Sequence, residues 1–233
     1  MKDTKDYAPK IRTLHRRLKQ KHAKTEPVSY EEPLEAVVYA IASEKTTANE
    51  AKSAIKRFAN YFVDLNDLRV SRPDEIAEAL GEDTAETRAT ALTLARTLNA
   101  VFYKYHTVSL MALKKTGKKP ARQILEKLDG ITDFAVDYCL LTSLAAHTIP
   151  LTGRMIEYLK DNRLVHPDAD CNQIKNFLAR QISAKHGFKF YTLLRKESET
   201  RRAAKKKKTV LKVKKKTTAK TKNTKKKTTT KKK

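Results

Sequence analysis

A short turn between two apolar helical patterns is the stretch of this sequence best suited to bind a phosphate group. Apolar residues recur at helical spacing along residues 123–141, on both sides of a break at Asp129-Gly130-Ile131-Thr132. Two helices joined by so short a turn form a hairpin, and the first backbone N–H groups of its second helix lack a partner within that helix. Because such groups attract anions, the spacing predicts a phosphate clamp built on Gly130, Thr132 and Asp133.

Charged side chains lie on both sides of this turn in the sequence. Asp129 and Asp133 would repel a bound phosphate, whereas a group of cations precedes the hairpin and could offset that repulsion. These cations are Lys114, Lys115, Lys118, Lys119 and Arg122. Two interpretations stay open: the cations extend a nucleic-acid interface, or they form an ordinary solvated loop.

The basic charge of the chain is concentrated at its two ends. The formal net charge is +25, and residues 201–233 carry 18 Lys+Arg and no acid. Residues 1–25 carry nine Lys+Arg against two acids, while residues 26–200 carry 24 basic and 24 acidic side chains. The sequence therefore divides into a basic N-terminal arm (1–25), a body (26–200) and a Lys/Thr-rich tail (201–233).

The tail has the composition of a disordered polycation. It contains almost nothing to bury, so folding could not offset the entropy of ordering it. A polycation binds nucleic acid by releasing counterions and reads no base sequence. A solvating or interaction arm is the alternative, but the absence of any acid favours polyanion binding.

The composition disfavours several other kinds of site. Cys139 and Cys171 are the only cysteines, which is too few for a disulfide framework or a thiolate metal site, and the histidines do not cluster, so we expect no metal. No run of about 18 apolar residues occurs, and the N-terminus lacks the apolar core of a signal peptide. We therefore expect an intracellular protein with no membrane partner.

The body is predicted to be all-α, because the 3.6-residue apolar pattern recurs almost everywhere and glycine is scarce. Residues 10–24 are either a basic helix docked weakly on the body or a solvated arm. Gly187 is expected to separate the last two helices. Around the hairpin at 121–146, helices are predicted over about 33–43, 47–61, 76–80, 84–103, 152–159, 170–185 and 188–196.

Three segments occur in an order and at distances that match a known family. The first is Ile41-Ala42-Ser43-Glu44-Lys45-Thr46-Thr47, between two early helices; the second is the hairpin turn; the third is His147-Thr148-Ile149-Pro150-Leu151-Thr152. From about Pro33 to Leu164 the chain resembles the endonuclease III-like branch of the helix-hairpin-helix (HhH-GPD) DNA glycosylases. The resemblance implies two helical subdomains with double-stranded DNA between them, a flipped base in the cleft, and a role in base excision repair.

The sequence departs from that family at the positions of its chemical groups. Phe134 stands where the family has its lyase lysine, and Thr152 stands where it has its catalytic aspartate. A Schiff-base lyase needs an amine, so strand cleavage is not expected, and Thr152 can supply only a helix cap. Thr132 replaces the second hairpin glycine and would have to adopt a conformation that favours glycine. The family's cysteine-ligated iron–sulfur loop is absent, so no cofactor is expected.

Two further sets of candidate residues follow from the resemblance. Asp133, Asp137 and Glu157 fall near the family's cleft and are candidates for a displaced catalytic carboxylate, although acids near helix ends are usually structural. The segment 43–47 occupies the place where the family inserts a side chain into the gap left by a flipped base. Either Glu44 or Lys45 would fill that gap here.

Three functions remain open at this point. The first is a monomeric DNA-binding protein with a glycosylase-type fold whose catalysis is lost. The second is an active monofunctional glycosylase that uses a displaced carboxylate. The third is a histone-H1-like packaging protein in which the tail carries the function and the body is a spacer. Each implies a DNA partner, in the cytoplasm and nucleoid of a bacterium or the nucleus of a eukaryote.

Overall fold

A computed structural model of the chain describes residues 1–81 and 83–200. The Lys/Thr-rich tail, for which we predicted disorder, lies outside the described residues. Within them every regular element is a helix, which confirms the predicted all-α fold. None of these helices is long and apolar enough to cross a membrane.

The helices follow the predicted order. A short 3-10 helix, Met111–Lys115, lies between α6 and α7. The α-helices are α1 (Thr4–Lys21), α2 (Pro33–Ser43), α3 (Ala48–Tyr61), α4 (Leu65–Val70), α5 (Pro73–Leu80), α6 (Ala85–Tyr105), α7 (Lys118–Glu126), α8 (Asp133–Thr142), α9 (Gly153–Asp161), α10 (Cys171–Gln181) and α11 (residues 184–200).

The pair formed by α2 and α8 is the centre of the molecule. Helix α2 begins at Pro33, whose missing N–H is not needed at the first helical position, and the Glu32 carboxylate accepts a hydrogen bond from the Leu34 N–H. Helix α8 is buried from Phe134 to Thr142 and has apolar side chains on nearly all sides, as expected of a helix enclosed by others. Its first residue is the one that follows the hairpin turn.

The other helices cover this pair from two sides. Helices α3, α4, α5 and α6 pack on one another and against α2. On the other side, α1 packs on α10, and Tyr191 of α11 lies against Tyr138 of α8, with 5.7 Å between ring centroids. One continuous apolar core joins the two groups of helices. The hairpin formed by α7 and α8 therefore lies where the two groups meet.

The residues assigned to a basic arm form α1, which is docked on the body. Ile11, Leu14 and Leu18 are buried, as the apolar stripe predicts for a docked helix. At the C-terminal end of α1, Lys21 and His22 both contact the Glu197 carboxylate, at 2.7 and 2.9 Å. The basic side chains of α1 surround this narrow apolar seam.

The break between the last two helices does not fall at Gly187. Helix α10 ends at Gln181, α11 begins at residue 184, and Gly187 lies inside α11. A Cβ atom at Gly187 would lie 3.5 Å from His147 Nδ1, so this glycine lies against the segment before α9. Ile182 leaves the helix in an extended conformation and is buried, which ends α10 earlier than propensity alone predicts.

Candidate nucleic-acid interface

The hairpin turn is closed by backbone hydrogen bonds and by one left-handed glycine. The Leu128 N–H donates to the Leu125 carbonyl at 3.0 Å, and the Ile131 N–H donates to the Leu128 carbonyl at 3.3 Å. Gly130 has a φ of 80°, a region that favours glycine. The chain thus reverses within a few residues and enters α8 from an extended residue, Thr132.

Thr132 adopts an ordinary conformation, so our expectation of strain at this position was wrong. Its φ is −96° and its ψ is 152°, and its hydroxyl caps α8 by accepting a hydrogen bond from the Ala135 N–H at 3.1 Å. The left-handed conformation is confined to Gly130. Among the described residues, the N–H groups of Gly130, Thr132 and Asp133 donate to no protein acceptor, as a phosphate clamp requires.

Gly130 is also held against α6. A Cβ atom at this position would lie 2.7 Å from Arg96 Cβ and 3.3 Å from the Thr93 carbonyl oxygen, so no side chain fits there. Arg96 is exposed, and it lines a surface depression of about 300 Å³ together with Asp129. Arg96 is therefore a cationic residue beside the turn that the sequence analysis missed. Arg96 lies on another helix, and no local sequence signal links it to the hairpin.

The lysines that precede the hairpin lie at its other end. Lys118 Nζ donates to the Ala145 carbonyl, just after the C-terminus of α8, at 2.5 Å. Lys114, Lys115 and Lys119 are exposed in the same region. Because α7 separates them from the turn by about 13 Å of helix, these lysines do not surround the three free N–H groups.

Arg122 and Asp137 belong to one buried network. The Asp137 side chain is 3% exposed and accepts from Arg122 Nη2 at 2.6 Å, Lys175 Nζ at 2.8 Å and the Thr148 hydroxyl at 2.9 Å. Partial burial lowers the pKa of Arg122, but the hydrogen bond and charge of Asp137 outweigh this and raise it. Both groups therefore have structural partners that join α7, α8 and α10.

This network gives a stability prediction. Asp137→Ala would leave Arg122 and Lys175 without their shared carboxylate, and we expect the free energy of unfolding to fall by about 3–5 kcal/mol. Urea denaturation measures this change. Glu126→Ala removes only the exposed partner of Arg122 and should cost less than about 1 kcal/mol. Equal losses in the two variants would contradict the structural role of Asp137.

The other two carboxylate candidates lie at the surface. Asp133 is exposed and is the first residue of α8, where its negative charge interacts favourably with the positive end of the helix dipole. Glu157 is exposed on α9. Asp133 and Asp137 both act electrostatically on Lys175 of α10, so these two carboxylates lie on the same side of the molecule.

The α2–α3 loop, residues 44–47, lies beside the start of α9. Arg154 in the first turn of α9 donates to the Lys45 carbonyl at 2.9 Å, and both residues line a groove of about 750 Å³. Thr47 ends the loop by capping α3, with Glu50 completing a reciprocal capping box. Of the two candidates for a gap-filling side chain, Lys45 is exposed and Glu44 is half-buried.

Thr152 and Phe134 have structural contacts. Thr152 is buried and caps α9, its hydroxyl accepting from the Met155 N–H at 3.3 Å. Phe134 is 4% exposed, its ring lies 5.9 Å from that of Tyr138, and the Arg195 guanidinium carbon lies 5.8 Å from its centroid. No amine or carboxylate is supplied by either residue.

Four tyrosines extend this aromatic group, which we call the tyrosine cluster: Tyr30, Tyr39, Tyr138 and Tyr191. The Tyr30 and Tyr138 hydroxyls are 3.2 Å apart, and Tyr39 and Tyr138 are 5.5 Å apart between ring centroids. Burial raises the pKa of all four phenols, to about 12 for Tyr191, which further favours their neutral form. The cluster offers aromatic faces and neutral hydroxyls.

Two neighbouring cavities open on the tyrosine cluster. Their volumes are about 590 and 520 Å³, and Val28, Tyr39, Lys52 and Tyr138 line both. The smaller cavity is also lined by Glu26 and Glu199, carboxylates that the sequence analysis did not single out. Both lie far from the hairpin in sequence, so only the fold shows that they share a cavity with Tyr138.

No protein-family model and no curated protein sequence matches the chain. Its fold is that of the helix-hairpin-helix DNA glycosylases, as the resemblance predicted. Endonuclease III in a non-covalent complex with DNA aligns with a TM-score of 0.64 and 13% identity, over 81% of this chain and 84% of that one.

Two further solved structures show the same likeness. Clostridium acetobutylicum 8-oxoguanine glycosylase/lyase, in complex with double-stranded DNA containing cytosine opposite 8-oxoG, aligns with a TM-score of 0.64 and 15% identity, over 86% of this chain and 71% of that one. H. pylori 3-methyladenine DNA glycosylase (MagIII), bound to 1,N6-ethenoadenine, aligns with a TM-score of 0.62 and 15% identity, over 85% of this chain and 98% of that one. At such identities the likeness establishes the fold.

Proposed function

We propose that this protein binds double-stranded DNA at damaged or distorted sites and does not cleave it. The observation that carries the proposal is the hairpin turn, where three backbone N–H groups have no protein acceptor among the described residues. Backbone N–H groups at a helix start fix the position of a phosphate without reading the bases. Arg96 beside the turn adds a positive charge.

The solved structures with this fold support DNA as the partner. Endonuclease III and the C. acetobutylicum 8-oxoguanine glycosylase/lyase are both bound to DNA in them. In our proposal, the turn holds one phosphate, Lys45 on the α2–α3 loop enters a gap in the base stack, and the tyrosine cluster receives the displaced planar group by stacking. Because one chain carries both the turn and the loop, we propose that the protein acts as a monomer.

In this proposal the strand is not cleaved because Phe134 and Thr152 stand at the positions of the lyase lysine and the catalytic aspartate and supply neither an amine nor a carboxylate. A lyase that forms a Schiff base needs a free amine at the sugar carbon, and Phe134 is a buried ring in the aromatic group. Of the predicted replacement acids, Asp137 is engaged with three donors, while Asp133 and Glu157 lie on the surface. The contacts therefore favour binding over catalysis.

We also propose that the protein contains no iron–sulfur cluster. Its two cysteines cannot supply four thiolates, and the thiol of Cys139 is buried against the Pro33 carbonyl oxygen, at 3.5 Å. Burial raises the pKa of Cys139 to about 12, which keeps it a thiol rather than a metal-binding thiolate. A DNA partner would place the protein with the genome, in a nucleoid or a nucleus.

Equilibrium binding and a cleavage assay test this proposal together. Fluorescence anisotropy would compare an intact duplex with the same duplex carrying a stable abasic analogue, for the full chain and for residues 1–200. We expect both proteins to prefer the abasic duplex by about tenfold, a difference of about 1.4 kcal/mol. A denaturing gel of a natural abasic duplex after incubation should show intact strands.

Three outcomes would contradict the proposal in different ways. Strand nicking would show that a lyase nucleophile exists outside Phe134. Release of a damaged base without nicking would favour the monofunctional glycosylase. A full-length protein that binds both duplexes equally, and that loses all affinity on removal of the tail, would favour the packaging protein.

A further inference from the structure

Arg195 of α11 is a buried cation whose donors converge on the end of α2. It is 4% exposed, and Nη2 donates to the Ser43 carbonyl at 2.6 Å while Nη1 donates to the Ser43 hydroxyl at 3.2 Å. Ser43 is the last residue of α2, so its carbonyl oxygen accepts no hydrogen bond from within that helix. Arg195 thus fixes the point at which the α2–α3 loop begins.

Glu199, one turn further along α11, fixes the point at which the same loop ends. Its Oε1 atom accepts from the Ala48 N–H at 3.0 Å and from Arg195 Nε at 3.0 Å. Ala48 is the first residue of α3, and a carboxylate beside it interacts favourably with the positive N-terminal end of the helix dipole. One ion pair therefore holds both ends of the loop that carries Glu44 and Lys45.

The same pair connects the loop with the hairpin. The Arg195 guanidinium lies over the ring of Phe134, the second residue of α8, and Arg195 Nη1 donates to the Tyr191 hydroxyl at 2.9 Å. Phe134 follows Asp133, whose N–H belongs to the candidate phosphate site. Arg195 therefore lies between the loop and the start of α8 and touches both.

We infer that Arg195 and Glu199 are positioning residues that set the placement of the α2–α3 loop relative to the hairpin turn. The inference rests on the proposed function, in which the turn holds a phosphate and Lys45 enters a gap in the base stack. An intact duplex needs only the turn and the basic tail. A gapped or abasic duplex also needs the loop at a fixed distance from the bound phosphate, and small displacements are costly in such arrangements. The pair therefore governs selectivity between the two duplexes.

The test measures a ratio of affinities in the full-length protein. Anisotropy gives the Kd for the intact duplex divided by the Kd for the abasic-analogue duplex, at about 200 mM salt to weaken the contribution of the tail. Glu199→Ala should lower this ratio about tenfold, because the carboxylate's contacts with the Ala48 N–H and with Arg195 are both lost. Glu199→Gln keeps an oxygen acceptor for Ala48 and Arg195, and we expect it to retain the wild-type ratio within about twofold.

Glu197→Ala is the matched control on the same helix. Glu197 pairs with Lys21 and His22 at the C-terminal end of α1, so its loss should reduce thermal stability and leave the ratio unchanged. Arg195→Lys cannot reproduce the forked contact with Ser43 and should resemble Glu199→Ala; should it fail to fold, Glu199→Ala decides alone. A folded Glu199→Ala variant with the wild-type ratio would overturn the inference. A wild-type ratio near one would instead overturn the proposed function.

Discussion

Removal of residues 201–233 is expected to weaken binding to every duplex and to flatten its dependence on salt. The tail carries 18 cations and no acid. Each phosphate that it neutralises adds about 0.9 to the magnitude of the slope of log affinity against log salt. A tail that neutralises about six to ten phosphates would therefore contribute about 5–9 to the magnitude of that slope. Between 50 and 200 mM salt this corresponds to a loss of about 10³–10⁵ in affinity. Anisotropy titrations at several salt concentrations measure both quantities.

The truncated protein separates the two sources of binding. Because the tail reads no base sequence, its removal should leave the preference for an abasic duplex unchanged. A control variant with the tail lysines replaced by alanine keeps the length and removes most of the charge, and it should behave like the truncation. An unchanged salt slope in either variant would show that the tail does not contact DNA.

Gly130→Ala is expected to destabilise the folded body and to move the hairpin turn. A left-handed backbone conformation disfavours alanine by about 1–2 kcal/mol, and the new Cβ would meet Arg96 Cβ at 2.7 Å in a packed region. With the cost of overpacking, we expect the free energy of unfolding to fall by about 2–4 kcal/mol. Urea denaturation measures this loss, and the folded fraction should bind the abasic duplex more weakly because the turn has moved.

Gly153→Ala is the matched control for this prediction. Gly153 is the first residue of α9, and a Cβ atom there meets nothing within 4 Å. We expect a change within about 1 kcal/mol, because alanine loses less conformational entropy on folding. If the two glycine variants lose equal stability, the close approach of Gly130 to α6 is not what constrains the turn.

The helices could be predicted from the sequence because their signals are local. Proline at the first position of α2 and threonine caps before α3, α6 and α9 mark helix starts within one or two residues. The end of α10 was misplaced because the buried side chain of Ile182 and the contact of Gly187 with His147 come from tertiary packing. Local propensity carries no information about either.

The candidate site was only partly predictable, for a related reason. The hairpin turn is a contiguous stretch, so its free N–H groups could be located from residues 129–133 alone. Arg96, Arg195 and Glu199 act across 34 or more residues of sequence, and their charges look like ordinary surface charges until the fold brings them together. Conversely, Arg122 and the lysines before it looked available, yet Arg122 pairs with Asp137 and the lysines lie at the far end of α7.

Amide hydrogen exchange of the full-length protein, free and bound to an abasic-analogue duplex, tests the central claim most directly. The N–H groups of Gly130, Thr132 and Asp133 have no protein acceptor among the described residues, so in the free protein they should exchange on the fastest timescale. On binding, a phosphate would accept from them, and exchange in residues 129–133 should slow by at least about tenfold, together with slowing in the α2–α3 loop. Unchanged fast exchange in the turn, with slowing confined to other helices, would contradict DNA binding at this face.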